Sequence, residues 1–373
     1  MNSTAPRDLF LSAAEGLLER VVRLDGSRAL FPGGRNGPYF DLESPVRNSA
    51  HVLASMAIAY RLTGEARFAD SGRRLAAFLL AGGGFTKGGL HVHRQKPGKD
   101  WSNGVIGPAW VIEALALAGR FLDDHAARSR ALALADAQPF DTRAALWRRQ
   151  DPGGGASSVD RTLNHQVAFA VALQSTKDDA DGRVDLFLDL LAGGGIRVEQ
   201  DGLLVHHVPR RDEAQRWLLS RREQLLRTAA NSPQLSRLRG RPAATEHASS
   251  ERDLGYHLYT LFCLARLRQL RPQHPVWRSE PIAGAVATPT SEGWLDALER
   301  NSYAYLYNGP GLEMPLIAAV FGDLVPALKE VGDRAVARQV AATWDEESRT
   351  FSRGTDDALT LTARAFELGL SVA

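Results

Sequence analysis

The segment Thr162-Leu163-Asn164-His165-Gln166 sets three polar side chains immediately before an apolar run, Val167, Ala168, Phe169 and Val171. This pattern puts the polar groups at the loop-facing end of a helix. Imidazole titrates near about pH 6.5, so His165 can take or give a proton near neutrality. Asn164 can donate a hydrogen bond to a carboxylate or a carbonyl. An ordinary helix cap with a satisfied histidine has the same composition, and this segment alone does not separate the two readings.

A second constellation is Glu251-Arg252-Asp253-Leu254-Gly255-Tyr256-His257-Leu258-Tyr259. Arg252 and Tyr256 are four apart and share one helical face. A guanidinium holds a carboxylate through paired hydrogen bonds, and a phenol can donate a proton. Gly255 weakens the helix and therefore predicts a close approach by a neighbour or ligand. The plain alternative is a core Tyr256, a surface ion pair at Arg252 and a buried, hydrogen-bonded His257.

The third runs from Lys99 to Trp110 and joins a Gly-rich loop to a helix start. Gly104 and Gly107 allow unusual backbone angles, and Pro108 suits a first helical turn. Asp100 and Asn103 then face the space above the helix end. Trp101 and Trp110 offer flat apolar platforms for a sugar ring, or else two core tryptophans. Upstream, Asp41 and Glu43 precede Ser44-Pro45. They favour the positive end of the helix that starts there, and Asp41 is also a candidate rim carboxylate for sugar hydroxyls.

Other chemistries find little support. His91 and His93 would point the same way in an extended segment, as two metal ligands do, and His206-His207 are adjacent, but nothing fixes a third ligand. The Gly-Gly-Gly runs lack the Lys-Ser/Thr of a P-loop, and no Gly-x-Ser-x-Gly elbow occurs. No metal and no cofactor is predicted.

The elements that must position these residues are helical. Ser44 caps and Pro45 opens a helix whose apolar positions Val46, Leu53, Met56, Ala57 and Tyr60 recur at helical spacing, and Gly64 stops it. A second helix, 65–80, follows at once, giving an antiparallel hairpin. Helices are predicted over 107–121 with 125–135, 162–173 with 184–191, then 253–270, 313–321, 324–330, 334–344 and 359–370. Between them lie Gly-rich segments with short β character at 82–93, 147–158, 193–208 and 343–354. About a dozen helices in pairs, with a weak repeat of roughly 50 residues, predict an all-α fold. The expectation is one (α/α) toroid of about six helical hairpins spanning 1–373, with short β-hairpins in the connecting loops. Residues 209–247 carry nine arginines and 272–294 read as a long loop.

Composition bounds the rest. The chain has 373 residues, 45 Lys+Arg against 43 Asp+Glu, and one cysteine, Cys263. That excludes a disulfide scaffold, a multi-thiolate zinc site and a globally basic nucleic-acid binder. No apolar run approaches the ~18 residues of a membrane span. The N-terminal stretch is amphipathic and acidic early, so it reads as a first helix and the expected location is cytoplasmic.

The motifs resemble carbohydrate-active (α/α)-toroid enzymes. Asn164-His165, and Arg252 with Tyr256-His257, are similar to elements of toroidal alginate-type uronate lyases. That resemblance implies Asn164 and Arg252 neutralising a uronate carboxylate, His165 removing the C5 proton and Tyr256 protonating the leaving oxygen. Asp100-Trp101-Ser102-Asn103-Gly104 with Gly107-Pro108-Ala109-Trp110, Asn164-His165-Gln166 and the Arg252–His257 segment also resemble unsaturated glucuronyl hydrolases and AglQ-like proteins of surface-glycan clusters. The hydrolase resemblance implies an aspartate acid/base, Asp100 first and Asp41 second. Gln166, His257, Trp101, Asn103 and Trp110 are then expected among the substrate contacts. The leading expectation is an enzyme acting on an anionic, uronate-containing glycan by C5-proton abstraction, as lyase or epimerase. A hydrolase using Asp100 and a non-catalytic glycan-binding protein are the alternatives. The Arg-rich segment would steer an anionic glycan towards either site.

Overall fold

The computed structural model describes residues 5–82, 84–151, 155–177, 181–209 and 243–373. The Arg-rich stretch therefore lies mostly outside the described residues.

Six helical units form an inner ring: α2 (Pro45–Thr63), α4 (Ile106–Phe121), α6 (Leu163–Ser175), α8 (Ala243–Leu270), α11 (Pro310–Phe321) and the broken pair α13 (Ala358–Ala363) and α14 (Phe366–Gly369). Each packs on the next, and α14 returns to α2, so the ring closes. Outside it lie α1 (Pro6–Glu19), α3 (Ala66–Ala81), α5 (His125–Ala137), α7 (Gly182–Leu190), α9 (Glu280–Ala287), α10 (Trp294–Glu299) and α12 (Leu328–Thr343). The expected toroid is what the chain forms. Among the described residues, no helix is long and apolar enough to cross a membrane.

The two layers differ in sequence for a physical reason. In α4, Ala109, Trp110, Val111 and Ile112 are consecutive and all buried, so every face of the helix meets protein. In α3, Phe68, Leu75, Phe78 and Leu79 turn inward while Arg67, Arg73 and Arg74 stay out, as on a helix with one wet side. Ser44 caps α2 by accepting the Val46 N–H at 3.3 Å, Pro45 is its first residue, and Gly64 ends it at φ +71°. The predicted hairpin is present.

Short antiparallel pairs β1–β2 (Thr86–Lys87, Leu90–His91), β3–β4 (Leu146–Gln150, Ala156–Val159) and β5–β6 (Trp344–Asp345, Thr350–Phe351) occupy three of the four Gly-rich segments. The fourth, 193–208, holds only the isolated bridges Val198–Leu204 and His207–Thr162. Three further expectations change. Residues 272–294 are not a loop: they hold a 3-10 turn at Pro275–Arg278 and helix α9, because Val276, Trp277, Ile282 and Val286 bury themselves there. Residues 324–330 and 334–344 merge into one helix, α12, that begins only at Leu328. The last helix breaks at Arg364, whose side chain turns inward to a buried ion network.

Candidate active site

The N-terminal turns of α2, α4 and α6, the loops before them and before α11, and the middle of α8 surround a cavity of about 370 Å³. The aligned dipoles of α2, α4 and α6 make this end of the ring electropositive.

His165, Asn164, Arg252, Tyr256, Asp100, Asn103, Trp110 and Asp41 all line that cavity. Residues as far apart in sequence as Asp41 and Tyr256 thus meet. Trp101, Gln166 and His257 do not line it, and each has another task. Trp101 gives its backbone carbonyl to the N–H groups of His93 and Arg94. Gln166 accepts the Trp147 N–H at 2.9 Å and donates to the carbonyls of Trp147 and Asp160. His257 accepts the Leu204 N–H at Nδ1, and its Nε2 lies 2.9 Å from the Ala285 carbonyl. Trp110 lines the cavity, but the Arg47 guanidinium sits 4.4 Å from its ring centre, so the indole is no open sugar platform. His91 and His93 do not act as a pair: His91 Nε2 meets the Leu79 carbonyl at 2.9 Å, while His93 packs on Trp110.

His165 has a partner that its motif did not reveal. Its Nδ1 lies 2.9 Å from Oδ2 of Asp160, a fully buried carboxylate. Asp160 also accepts the N–H groups of Val105 at 3.0 Å and Thr162 at 3.1 Å, with an Arg149 guanidinium nitrogen at 3.5 Å. Burial alone would raise its carboxyl. The charge and hydrogen bond of His165, the Arg149 charge and the Thr162 N–H outweigh that and hold it well below the usual range. An ionised carboxylate only accepts, so His165 carries its proton on Nδ1. Nε2 is left as the basic nitrogen on the cavity side.

Local sequence builds this pair. Gly104 has φ +65°, and a Cβ there would sit 2.0 Å from the Asp160 carboxylate and 2.7 Å from the His165 ring. Only glycine lets the loop before α4 pass so close. Gln166 then ties the loop carrying Asp160 to the helix carrying His165. Asp160 lies five residues before His165 in a capping position, which is the one sequence signal that points to it.

Asp100 is spent on structure. Its Oδ1 accepts the Ser102 N–H and hydroxyl at 3.1 and 2.9 Å, and its Oδ2 accepts the Gly104 N–H at 2.8 Å. It shapes the loop that presents Asp160 to Val105. Asp41 is paired with Lys96 at 2.8 Å and Lys99 at 3.6 Å.

On the opposite wall, the Tyr256 hydroxyl lies 3.2 Å from that of Tyr39 and 3.3 Å from that of Tyr307. Tyr307 donates onward to Asn36 at 2.9 Å. Burial, with Tyr307 and Tyr39 beside it, pushes the Tyr256 hydroxyl well above its ordinary value, so it keeps its proton. Gly255 explains itself here: a Cβ would collide with Tyr303 at 2.3 Å, so the close approach is by the chain that carries these tyrosines. His206 packs 5.0 Å from the Tyr256 ring. Burial, helped by Arg252 and His165, pulls His206 down to about 3 and keeps it neutral.

The floor is ionic and dry. Arg47 pairs with Glu43 at 3.1 Å, and Arg364 pairs with Glu313 at 2.6 Å and Glu367 at 2.9 Å, all nearly inaccessible. Burial pushes the Glu313 and Glu367 carboxyls up, against the opposing charge of Arg364. Arg94 and Arg252, by contrast, form no ion pair among the described residues, and the Nε of each is buried without a partner. Among those residues no group of three or more His, Cys, Asp or Glu is placed to hold a metal ion.

No family model matches the chain. In fold it is similar to cellobiose 2-epimerase from Spirochaeta thermophila, with a TM-score of 0.61 and 12% identity over 98% of this chain and 96% of that one. A sugar epimerase from a ruminal bacterium gives 0.62 and 11% over 99% of both chains. A family 76 glycoside hydrolase from Bacteroides thetaiotaomicron gives 0.56 and 11% over 99% of this chain and 78% of that one. At such identities the likeness is one of architecture. In sequence the chain is 33% identical over 368 residues, 98% of its length, to archaeal glycosylation protein Q of Haloferax volcanii, covering 96% of that protein. The chain therefore belongs to the archaeal glycosylation protein Q family.

Proposed function

We propose that this protein is an enzyme acting on a uronate-containing glycan and that its first step removes the proton on the sugar carbon next to the carboxylate. The Asp160–His165 pair carries this reading. It sets an imidazole, its Nδ1 committed to a buried carboxylate, at the wall of a polar cavity.

The chemistry follows from the neighbours. A sugar C–H next to a carboxylate becomes acidic only when the carboxylate charge is suppressed. Of the cavity-lining cations, Arg252 and Arg94 form no ion pair among the described residues, and Asn164 lies beside His165. His165 Nε2 takes the C5 proton, and the C–H electron pair moves into the carboxylate as an enediolate. The intermediate then has two exits. Return of a proton to the other face of C5 inverts it, which is epimerisation. Rupture of the C4–O bond, with Tyr256 giving its proton to the leaving oxygen, makes the C4=C5 enoate, which is elimination. Relatives in fold named for sugar epimerisation support the proton-transfer reading, because epimerisation next to a carbonyl begins by moving a proton at a sugar carbon. The relative named as a glycosylation protein supports the glycan.

The test is to incubate the protein with uronate oligosaccharides, following ultraviolet absorbance of the enoate and C5 configuration by NMR. A new enoate or an inverted C5 supports the proposal. Glycosidic cleavage with water and unchanged C5 would replace it with hydrolysis.

A further inference from the structure

Four cavity-lining side chains are at least 97% buried and retain unpartnered polar atoms: His51, Arg47, Asn164 and Asp41. Asp41 is answered by its lysines. The other three are not answered at those atoms. Both ring nitrogens of His51, the Nε of Arg47 and the Oδ1 of Asn164 have no hydrogen-bond partner among the described residues. Buried polar groups are almost always satisfied, so orphans that converge on one cavity point to a ligand that satisfies them.

His51 is the most telling. It sits within α2, its ring clamped between Trp110 at 5.3 Å and Phe366 at 4.9 Å. Arg47 and Arg364 lie close enough to oppose its protonation. A neutral imidazole presents one donor and one acceptor, which is the complement of a hydroxyl group. Arg47 Nε adds a donor and Asn164 Oδ1 an acceptor. Below them, the Arg47–Glu43 pair and the Arg364–Glu313–Glu367 network close the cavity, so no chain passes through. Its 370 Å³ lies near the lower end of the ~300–1,000 Å³ typical of small-molecule pockets, suiting a unit or two of sugar rather than a polymer groove.

We infer that the cavity is an end-binding site in which the terminal sugar of a glycan enters floor-first and His51 reads its hydroxyls. This rests on the glycan reading above and specifies which part of the chain is taken. The reacting carbon therefore belongs to the terminal unit, and His51 is a specificity-determining contact distinct from the Asp160–His165 pair.

The experiment measures binding stoichiometry by titration calorimetry with the full-length protein and uronate oligomers two, four and eight units long. End binding predicts one protein per chain at every length. A protein-to-chain ratio that rises with length overturns it. His51→Phe keeps the ring between Trp110 and Phe366 and should weaken binding about tenfold or more, while His51→Gln should retain part of it. Unchanged affinity in a folded His51→Phe protein also overturns the assignment. Should the variant not fold, the wild-type stoichiometry decides alone. Neutral oligomers in a parallel arm separate this inference from the proposed function. End-limited binding of neutral chains only would keep the site and remove the uronate. C5 exchange within interior units would keep the chemistry and remove the site. Binding of no oligomer of either kind overturns the end site.

Discussion

Asp160 and His165 are joined by a 2.9 Å hydrogen bond through Nδ1, and the same carboxylate accepts backbone N–H groups from the starts of α4 and α6. One buried acid thus sets the tautomer of the base and fixes the helix ends around it. His165→Ala should lower turnover at least about a hundredfold, within the range of general-base deletions, with glycan binding retained. Asp160→Asn should cost a similar factor by releasing the tautomer. Steady-state kinetics beside a thermal melt check both, and near-normal turnover in either folded variant contradicts the assignment.

Tyr256 is the proton donor in the elimination branch. Tyr256→Phe removes one hydroxyl and leaves the ring packing beside Tyr303 and His206. Turnover to enoate should fall about a hundredfold, while exchange of the C5 proton with solvent persists. Loss of both would make Tyr256 part of the first step.

Arg252 should act on charge. Arg252→Ala is expected to weaken binding of a uronate oligosaccharide about tenfold or more while leaving its carboxyl-reduced neutral analogue within about twofold, because only the former loses a charge-assisted contact. Equal losses for both would show that Arg252 packs rather than binds charge.

Asp100→Asn distinguishes acid/base chemistry from loop support. With its oxygens committed to Ser102 and Gly104, the variant should be slowed less than His165→Ala and should also melt lower. Abolished activity at an unchanged melting temperature would restore Asp100 as the acid.

His257 reports on the fold through pH. Burial pulls it down to about 4, so the folded protein stays neutral there while the unfolded chain takes a proton below about pH 6.5. The unfolded state then binds more protons, and this group's contribution is lost as pH falls from about 6.5 towards 4. His257→Gln should therefore gain on wild type by up to about 1.4 kcal/mol per pH unit across that window. Denaturant melts at about pH 7.5, above the window, and at about pH 6 and about pH 5, within it, would show it. A constant difference contradicts the buried-neutral assignment.

Helical spacing, caps and glycine stops made the ring legible, because inner and outer helices differ in how much of their surface is apolar. The loop expected at 272–294 is helical because Pro275 and Pro281 sit in the first turns of short helices, which Trp277 and Ile282 anchor by burial. At the site, polar residues at helix starts were legible as loop-facing, and His165, Asn164, Arg252 and Tyr256 do meet. Gln166 and His257 look alike in sequence to cavity residues, yet one helical step rotates them onto Trp147 and Ala285. Asp160, Arg94 and His51 were hidden because their role comes from which helices become neighbours, not from spacing along the chain.

Whether His165 abstracts the C5 proton is read by following that proton itself. Uronate oligosaccharides are incubated with the protein in deuterium oxide and read by NMR and mass spectrometry. Proton abstraction by His165 predicts loss of the C5 proton signal, as deuterium in the recovered sugar or as an enoate with no proton there, and no loss with His165→Ala. A retained C5 proton under conditions of turnover, or the same exchange in His165→Ala, would contradict it.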